Sequence, residues 1–221
     1  MVDSTKKMEN IVIGTWQVNA PKTYYFLEGY AVARGYHNMK KALILARELH
    51  EGQYRKGGAE YLVHPLRVCD YLISVGLNDE VLLSAALLHD VVEDVAFIRD
   101  NPRKLVSDYR LSQEVLDVVM AVTKMKGVSE EAYYDGIKKD WRALFVKLSD
   151  RCNNISTMQS FSVEKRISYI EETEKYVLPL CKHVKLYYPE FSNEVTAMKY
   201  HITALCSTVR TMIEQQEEKK E

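Results

Sequence analysis

The sequence predicts an all-α fold: a single helical-bundle domain with additional long helices at its C-terminal end. Three observations carry that expectation. Glycine and proline number only 9 and 5 in 221 residues and are thinly spread, so no flexible linker divides the chain. Long segments repeat apolar residues at the three- and four-residue spacing of a helix with one buried face. Strand-like alternation is confined to residues 11 to 19, which read as a short strand or an extended arm.

Taken in order, His37 to His50 forms the first clear helix, with Met39, Leu43, Leu45, Ala46 and Leu49 available for burial. Gly57-Gly58 closes a basic loop, and Pro65 suits the first turn of a helix from His64 to Val75. Asn78-Asp79 can cap a helix from Glu80 to Val91. Leu111 to Thr123, Ser129 to Lys138 and Trp141 to Asn154 continue the pattern. Two long amphipathic helices follow, Val163 to Tyr187 and Glu190 to Gln216. The tail from Glu214 to Glu221 is a solvated charge run expected to fray. On this reading residues 1–36 are an N-terminal extension, 37–190 the domain proper, and 191–221 a C-terminal helix with a charged tail.

With 47% hydrophobic and 28% charged residues, the chain has the make-up of a folded protein with a substantial core. A net charge of -1 gives no global electrostatic reason to bind nucleic acid or an anionic membrane. Cys69, Cys152, Cys181 and Cys206 lie far apart with no Cys-x-x-Cys pair. That spacing speaks against a thiolate zinc site or a disulfide framework and for a reducing cytoplasm. Ile11-Val12-Ile13 is too short for a signal peptide, and Val81 to Leu88 too short to cross a bilayer.

The chemistry concentrates where the apolar run Leu82 to Leu88 meets His89-Asp90-Val91-Val92-Glu93-Asp94. On a continuous helix His89 and Glu93 are four apart, as are Asp90 and Asp94, so all four crowd one side of a helix end. Carboxylates and an imidazole packed that way repel and desolvate one another unless a cation or a proton compensates. A lone His-Asp dipeptide is more often a surface accident, but the residues before this one belong to a core. Two further residues join it. His64 opens a helix after the basic loop, although a histidine before proline is by itself more often a capping or packing residue. Asp150 ends the apolar stretch Leu144 to Asp150. Two imidazoles and two carboxylates suit a borderline or hard divalent ion such as Mn²⁺, Fe²⁺, Zn²⁺ or Mg²⁺, with room left for water.

The segments Gly52 to Gly58, Tyr61 to Leu66, Ala86 to Asp94, Val122-Thr123-Lys124 and Val146 to Arg151 together resemble the hydrolase half of the RelA/SpoT proteins. They are equally similar to the single-domain small alarmone hydrolases, nearly collinearly from about residue 38 to residue 185. The resemblance implies an HD-domain helical bundle in which His64, His89, Asp90 and Asp150 hold one divalent cation, usually Mn²⁺. Glu93 and Asp94 match the pair that positions or activates the attacking water. Arg55 and Lys56 match basic residues near the nucleotide and its phosphates, and Asn154 and Thr157 match polar contacts to the nucleoside. The implied reaction is hydrolysis of the 3′-pyrophosphate of guanosine tetra- and pentaphosphate to GDP or GTP and pyrophosphate. The partner is then a small nucleotide, with no nucleic acid and no membrane; a homo-oligomer is compatible with the sequence.

The sequence departs from the family pattern at several positions. Gly57 replaces a serine, Ala59-Glu60-Tyr61 stands where Glu-Pro-Tyr is common, Asn153 replaces a basic or aromatic residue, and Ser156 an arginine. These changes leave the metal and water-activating set intact and bear on nucleotide preference. They motivate two alternatives, an HD phosphohydrolase acting on another nucleotide or phosphorylated dinucleotide, and a nucleotide-binding module without turnover. The chain also ends too soon after the matching region to hold a synthetase domain, so a hydrolase alone is expected. His50 reads as a packing or supporting histidine beside the basic loop, and His37, His183 and His201 as surface or structural ones.

Overall fold

The structure is a computed structural model and describes residues 15–218, with side chains from Lys22 onward. It begins with α1 (Thr15–Arg34), α2 (His37–Leu49), α3 (Val63–Ser74) and α4 (Glu80–Leu88). Three single-turn helices follow, α5 (Val91–Asp94), α6 (Ala96–Arg99) and α7 (Lys104–Ser107). Then come α8 (Gln113–Val122), α9 (Glu130–Ile137) and α10 (Trp141–Ser156). The chain continues through α11 (Val163–Glu172), a π-helical turn at Thr173–Val177, α12 (Leu178–Tyr187) and α13 (Ser192–Glu218). No strand is present among the described residues, so the predicted all-α class holds.

α4 is the axis of the bundle. Every residue from Val81 to Leu88 is buried, and α2, α3, α8 and α10 all pack against it. A helix apolar on all sides is stable only when surrounded in this way. Its first turn is capped by Asp79, whose side chain accepts from the Leu82 N–H. The same carboxylate takes a two-pronged bond from Arg142 of α10, at 2.7 and 3.2 Å. Arg142 thus fixes the start of α10 beside the start of α4. Ser149 donates to the Val68 carbonyl of α3 at 2.8 Å and fixes its far half. From Arg142 to Asp150 the rise is about 12 Å, close to the length of α4, so Asp150 arrives at the end where His89 emerges.

The structure corrects four expectations. Residues 15–19 are helical, not a strand or arm, because Tyr24, Leu27 and Ala31 at helical spacing bury into the core and wind α1 as one piece. Residues 11–14 of that expected strand lie outside the described residues. The helix predicted from Glu80 to Val91 stops at Leu88 and restarts at Val91, since the His89 ring bonds the Ala86 carbonyl. The helix expected over Val163 to Tyr187 contains the π turn, where Thr173 is drawn to a buried arginine. The charged tail is helical to Glu218. Its last turns are held by Ile213 in the core and by Arg166 donating to Gln216 at 2.7 Å.

Candidate metal centre

Four side chains from three parts of the chain converge at the end of α4. His64 comes from the first turn of α3, His89 and Asp90 from the break after α4, and Asp150 from α10. His64 Nε2 lies 3.1 Å from His89 Nε2, 3.3 Å from Asp90 Oδ2 and 3.3 Å from Asp150 Oδ1. His89 Nε2 lies 3.1 Å from Asp90 Oδ2 and 3.7 Å from Asp150 Oδ1. The second nitrogen of each ring faces a carbonyl oxygen, His64 Nδ1 on Asn153 at 2.7 Å and His89 Nδ1 on Ala86 at 2.8 Å. A carbonyl only accepts, so each Nδ1 carries the proton and each Nε2 turns toward the common point. A divalent ion bonded at about 2.0–2.2 Å keeps neighbouring ligand atoms about 3.0–3.6 Å apart. Four of the five observed edges, at 3.1 to 3.3 Å, fit that requirement, and the fifth, from His89 to Asp150 at 3.7 Å, lies just outside it.

Each carboxylate has its own support. Tyr61 donates to Asp90 Oδ2 at 2.7 Å, and Lys147 Nζ lies 3.2 Å from Asp150 Oδ2. Asn154 donates to Asp150 Oδ1 and accepts from the Arg55 guanidinium, so one amide links a basic residue to the cluster. Burial works against charge on Asp90, but the His89 and His64 imidazoles outweigh it and hold that carboxyl well below the usual range. Burial opposes charge on Asp150 too, and Lys147 with the same imidazoles prevails. For Glu93 the balance goes the other way. Desolvation of its carboxyl pushes the pKa up against the hydrogen bond from the Lys124 N–H.

Two cavities meet at His64. One of about 310 Å³ is lined by all four converging residues and by Glu93, and it also carries Lys124, Lys147 and Glu130. The other, about 400 Å³, is lined by Arg55, Lys56 and Arg67 with Asn153, Thr157 and Phe161, and by no acidic residue among those described. The basic loop between them is a small hairpin. Tyr54 and Glu60 pair, Arg55 N–H donates to Ala59 at 2.8 Å, and Gly58 turns the chain at a positive φ of 81°. One terminal nitrogen of Arg55, Nη1, is buried without a hydrogen-bond partner among the described residues.

The structure therefore brings together His64, His89, Asp90 and Asp150, with Glu93 beside them. Asp94 does not join that wall; it lies within electrostatic reach of Tyr61 and His50. Of the four residues expected to crowd one side of a helix end, His89, Asp90 and Glu93 line one cavity across the break, and Asp94 does not line it. Arg55, Lys56 and Thr157 line the basic cavity, whereas Asn154 lines the other. Of the departures from the family pattern, Gly57, Ala59 and Asn153 line the basic cavity, while Ser156 opens on a separate one with Lys22 and His201. Three contributors went without an assigned role in the sequence: Tyr61, Lys147 and Asn153. Lys147 was within reach of a spacing argument, being three before Asp150 on one helix; the other two contacts depend on chain folding.

Two imidazoles and two carboxylates meet at the end of the central helix, a donor set that suits a divalent ion, and His64, His89 and Asp90 are the three whose ligand atoms all lie within 4.8 Å of one another. The chain belongs to the HD domain family, whose profile matches residues 42–181. It is 32% identical over 156 residues to the guanosine-3′,5′-bis(diphosphate) 3′-pyrophosphohydrolase of Haemophilus influenzae, covering 64% of this chain and 22% of that one. It is 31% identical over 176 residues to a GTP pyrophosphokinase of Myxococcus xanthus, covering 73% and 22%. The chain thus spans about a fifth of the length of these curated relatives. A solved structure of a metazoan ortholog of SpoT, described as hydrolysing ppGpp, superposes with a TM-score of 0.56 at 22% identity. That match covers 80% of this chain and 95% of the other and supports the same fold.

The ligand chemistry has a pH signature. Burial lowers the His89 pKa, but Asp90 and Asp150 outweigh it and raise it well above its ordinary 6.5 in the metal-free protein. A raised pKa means that a proton stabilises the metal-free fold fully below about pH 6.5 and that this contribution is lost as pH rises. A metal ion must displace that proton, so its affinity rises over the same interval. The thermal shift caused by a divalent ion such as Mn²⁺ is expected to widen as pH rises above about 6.5. Titration calorimetry in buffers of different ionisation enthalpy should register proton release; a pH-independent shift would contradict this assignment.

Proposed function

We propose that the chain is a metal-dependent phosphohydrolase that removes the 3′-pyrophosphate of guanosine tetra- and pentaphosphate, with Mn²⁺ held by His64, His89, Asp90 and Asp150. The observation that carries this reading is the pairing of two cavities at the donor cluster. One holds a carboxylate, Glu93, beside the ligand atoms; the other is cationic and large enough for part of a nucleotide. The names of the relatives support the same substrate class. All four cysteines are buried free thiols, which supports a reducing compartment such as the cytoplasm. Among the described residues no helix is long and apolar enough to cross a membrane.

Bound at the cluster, a divalent ion supplies Lewis acidity, making water more acidic near neutral pH and offsetting charge on a phosphoryl oxygen. The chain does the rest. Glu93 is oriented in advance by the Lys124 N–H, 2.6 Å from its Oε1, and its raised pKa suits it to take a proton from water. Water adds to the phosphorus next to the 3′ oxygen, the bond to that oxygen breaks with its electron pair, and solvent protonates the leaving oxygen. Arg55 presents a planar fork with Nη1 still unpartnered among the described residues, and Lys56 a point charge, for phosphate oxygens. Thr157 and Asn153 offer polar contacts along the same cavity, and Phe161 an apolar face.

The test is hydrolysis of guanosine tetraphosphate by metal-stripped protein with and without added Mn²⁺, the products separated by chromatography. GDP and pyrophosphate should appear only with metal, and Glu93→Gln should lower kcat by about 10²–10⁴-fold. Orthophosphate as the product, or no turnover by folded and metal-loaded protein, would overturn the reading.

A further inference from the structure

Tyr61 ends the basic hairpin and touches four parts of the site at once. Its hydroxyl donates to Asp90 Oδ2 at 2.7 Å. Its ring stacks on the buried His50 at 4.7 Å between centroids and an interplanar angle of 28°. The Arg55 guanidinium lies over the ring at 5.9 Å, and the His64 ring meets it edge-on at 6.0 Å. Tyr61 is itself fixed by the backbone, its N–H donating to Gln53 at 2.9 Å and its carbonyl accepting from the His64 N–H at 2.9 Å. His50 in turn is anchored by Nδ1 to Gln53 at 2.8 Å, so the stacking partner cannot swing away.

Asp90 needs such a partner. It sits on the turn between α4 and α5, not within a long helix, and its Oδ2 lies 3.3 Å from His64 Nε2 and 3.1 Å from His89 Nε2. A carboxylate on a turn reaches the right position only if something outside the turn holds it. We propose that Tyr61 is a positioning residue for the metal centre, its hydroxyl aiming the Asp90 carboxylate and its ring tying that aim to the basic hairpin carrying Arg55. This rests on the reading of Asp90 as a metal ligand. The arrangement makes the hairpin part of the metal site as well as part of the anion site.

The experiment measures Mn²⁺ affinity directly, by electron paramagnetic resonance of free Mn²⁺ over full-length protein, so no turnover enters the readout. Tyr61→Phe keeps the ring between His50 and Arg55 and removes only the hydroxyl. It is expected to weaken Mn²⁺ binding by about 10–100-fold while the metal-free variant stays folded. Tyr54→Phe, on the same hairpin but 65% exposed, is the control and should bind as the unmodified chain does. Unchanged affinity in Tyr61→Phe overturns the inference and leaves the proposed function standing. Equal loss in both variants overturns it too, since the effect would then belong to the hairpin at large. If the unmodified chain takes up no Mn²⁺, the ligand assignment falls and this inference falls with it.

Discussion

Asp150→Asn should abolish metal-dependent turnover and also destabilise the fold by about 3–5 kcal/mol, the cost of breaking a buried ion pair. Two losses come from one oxygen-to-nitrogen change because Asp150 serves two masters. Its Oδ1 faces the imidazoles and its Oδ2 the Lys147 ammonium, and the two side chains are only 9% and 15% exposed. Without the carboxylate Lys147 is left as a buried cation beside the Tyr133 ring. Asp90→Asn offers the contrast. Asp90 is a ligand candidate with no lysine partner among the described residues, so turnover should vanish with a smaller loss of stability. At about 2–4 °C per kcal/mol for a chain of this size, Asp150→Asn should lower the melting point by roughly 10 °C. Adding Lys147→Met should recover much of that fall and none of the activity. A double variant that stays as unstable as Asp150→Asn would show that the pair does not carry the stability.

What the sequence reveals here depends on how local the cause is. His89, Asp90 and Asp150 stand out because each interrupts an apolar stretch, and burial of a charge demands a reason that can be read residue by residue. For His64 the residues give only a weak signal, a histidine opening a helix after a basic loop, and the resemblance strengthens it, since no period links positions 25 and 86 residues apart. The break after Leu88 is hidden for a different reason. Helical spacing favours continuation, and only the bond from the His89 ring to the Ala86 carbonyl ends the helix. Of the expected crowd, Asp94 alone is missing from the wall that His89, Asp90 and Glu93 share. In α1, from Lys22 onward, Tyr24, Leu27 and Ala31 are buried while Tyr25, Phe26 and Val32 are exposed, so the buried face is blurred.

Arg151→Met should be among the most destabilising single changes in the chain, again by about 3–5 kcal/mol, although it lies next to a metal-ligand candidate and contacts the metal-side cavity. An arginine there invites a role in binding phosphate, but both terminal nitrogens are already taken, and only the buried Nε lacks a hydrogen-bond partner among the described residues. Nη1 donates to the Thr173 hydroxyl at 3.0 Å and the Tyr169 carbonyl at 3.3 Å, and Nη2 to Glu172 at 2.6 Å and Tyr134 at 3.1 Å. The guanidinium also lies over the Tyr169 ring at 4.0 Å, and the residue is 2% exposed. These bonds tie α10 to the end of α11 and to the π turn, which brings the Thr173 hydroxyl to the arginine. Burial opposes its charge, but Tyr169, Tyr134 and Glu172 outweigh that and raise its pKa, so it stays charged at any working pH. Arg151→Lys keeps the charge and loses the planar fork, so it should fall between the two, at about 1–3 kcal/mol. Mn²⁺ affinity of the folded fraction should be unchanged in both variants. Melting curves taken beside Mn²⁺ titrations separate the cases. A variant with normal melting and weakened binding of pyrophosphate would make Arg151 a substrate contact and not the strut described here.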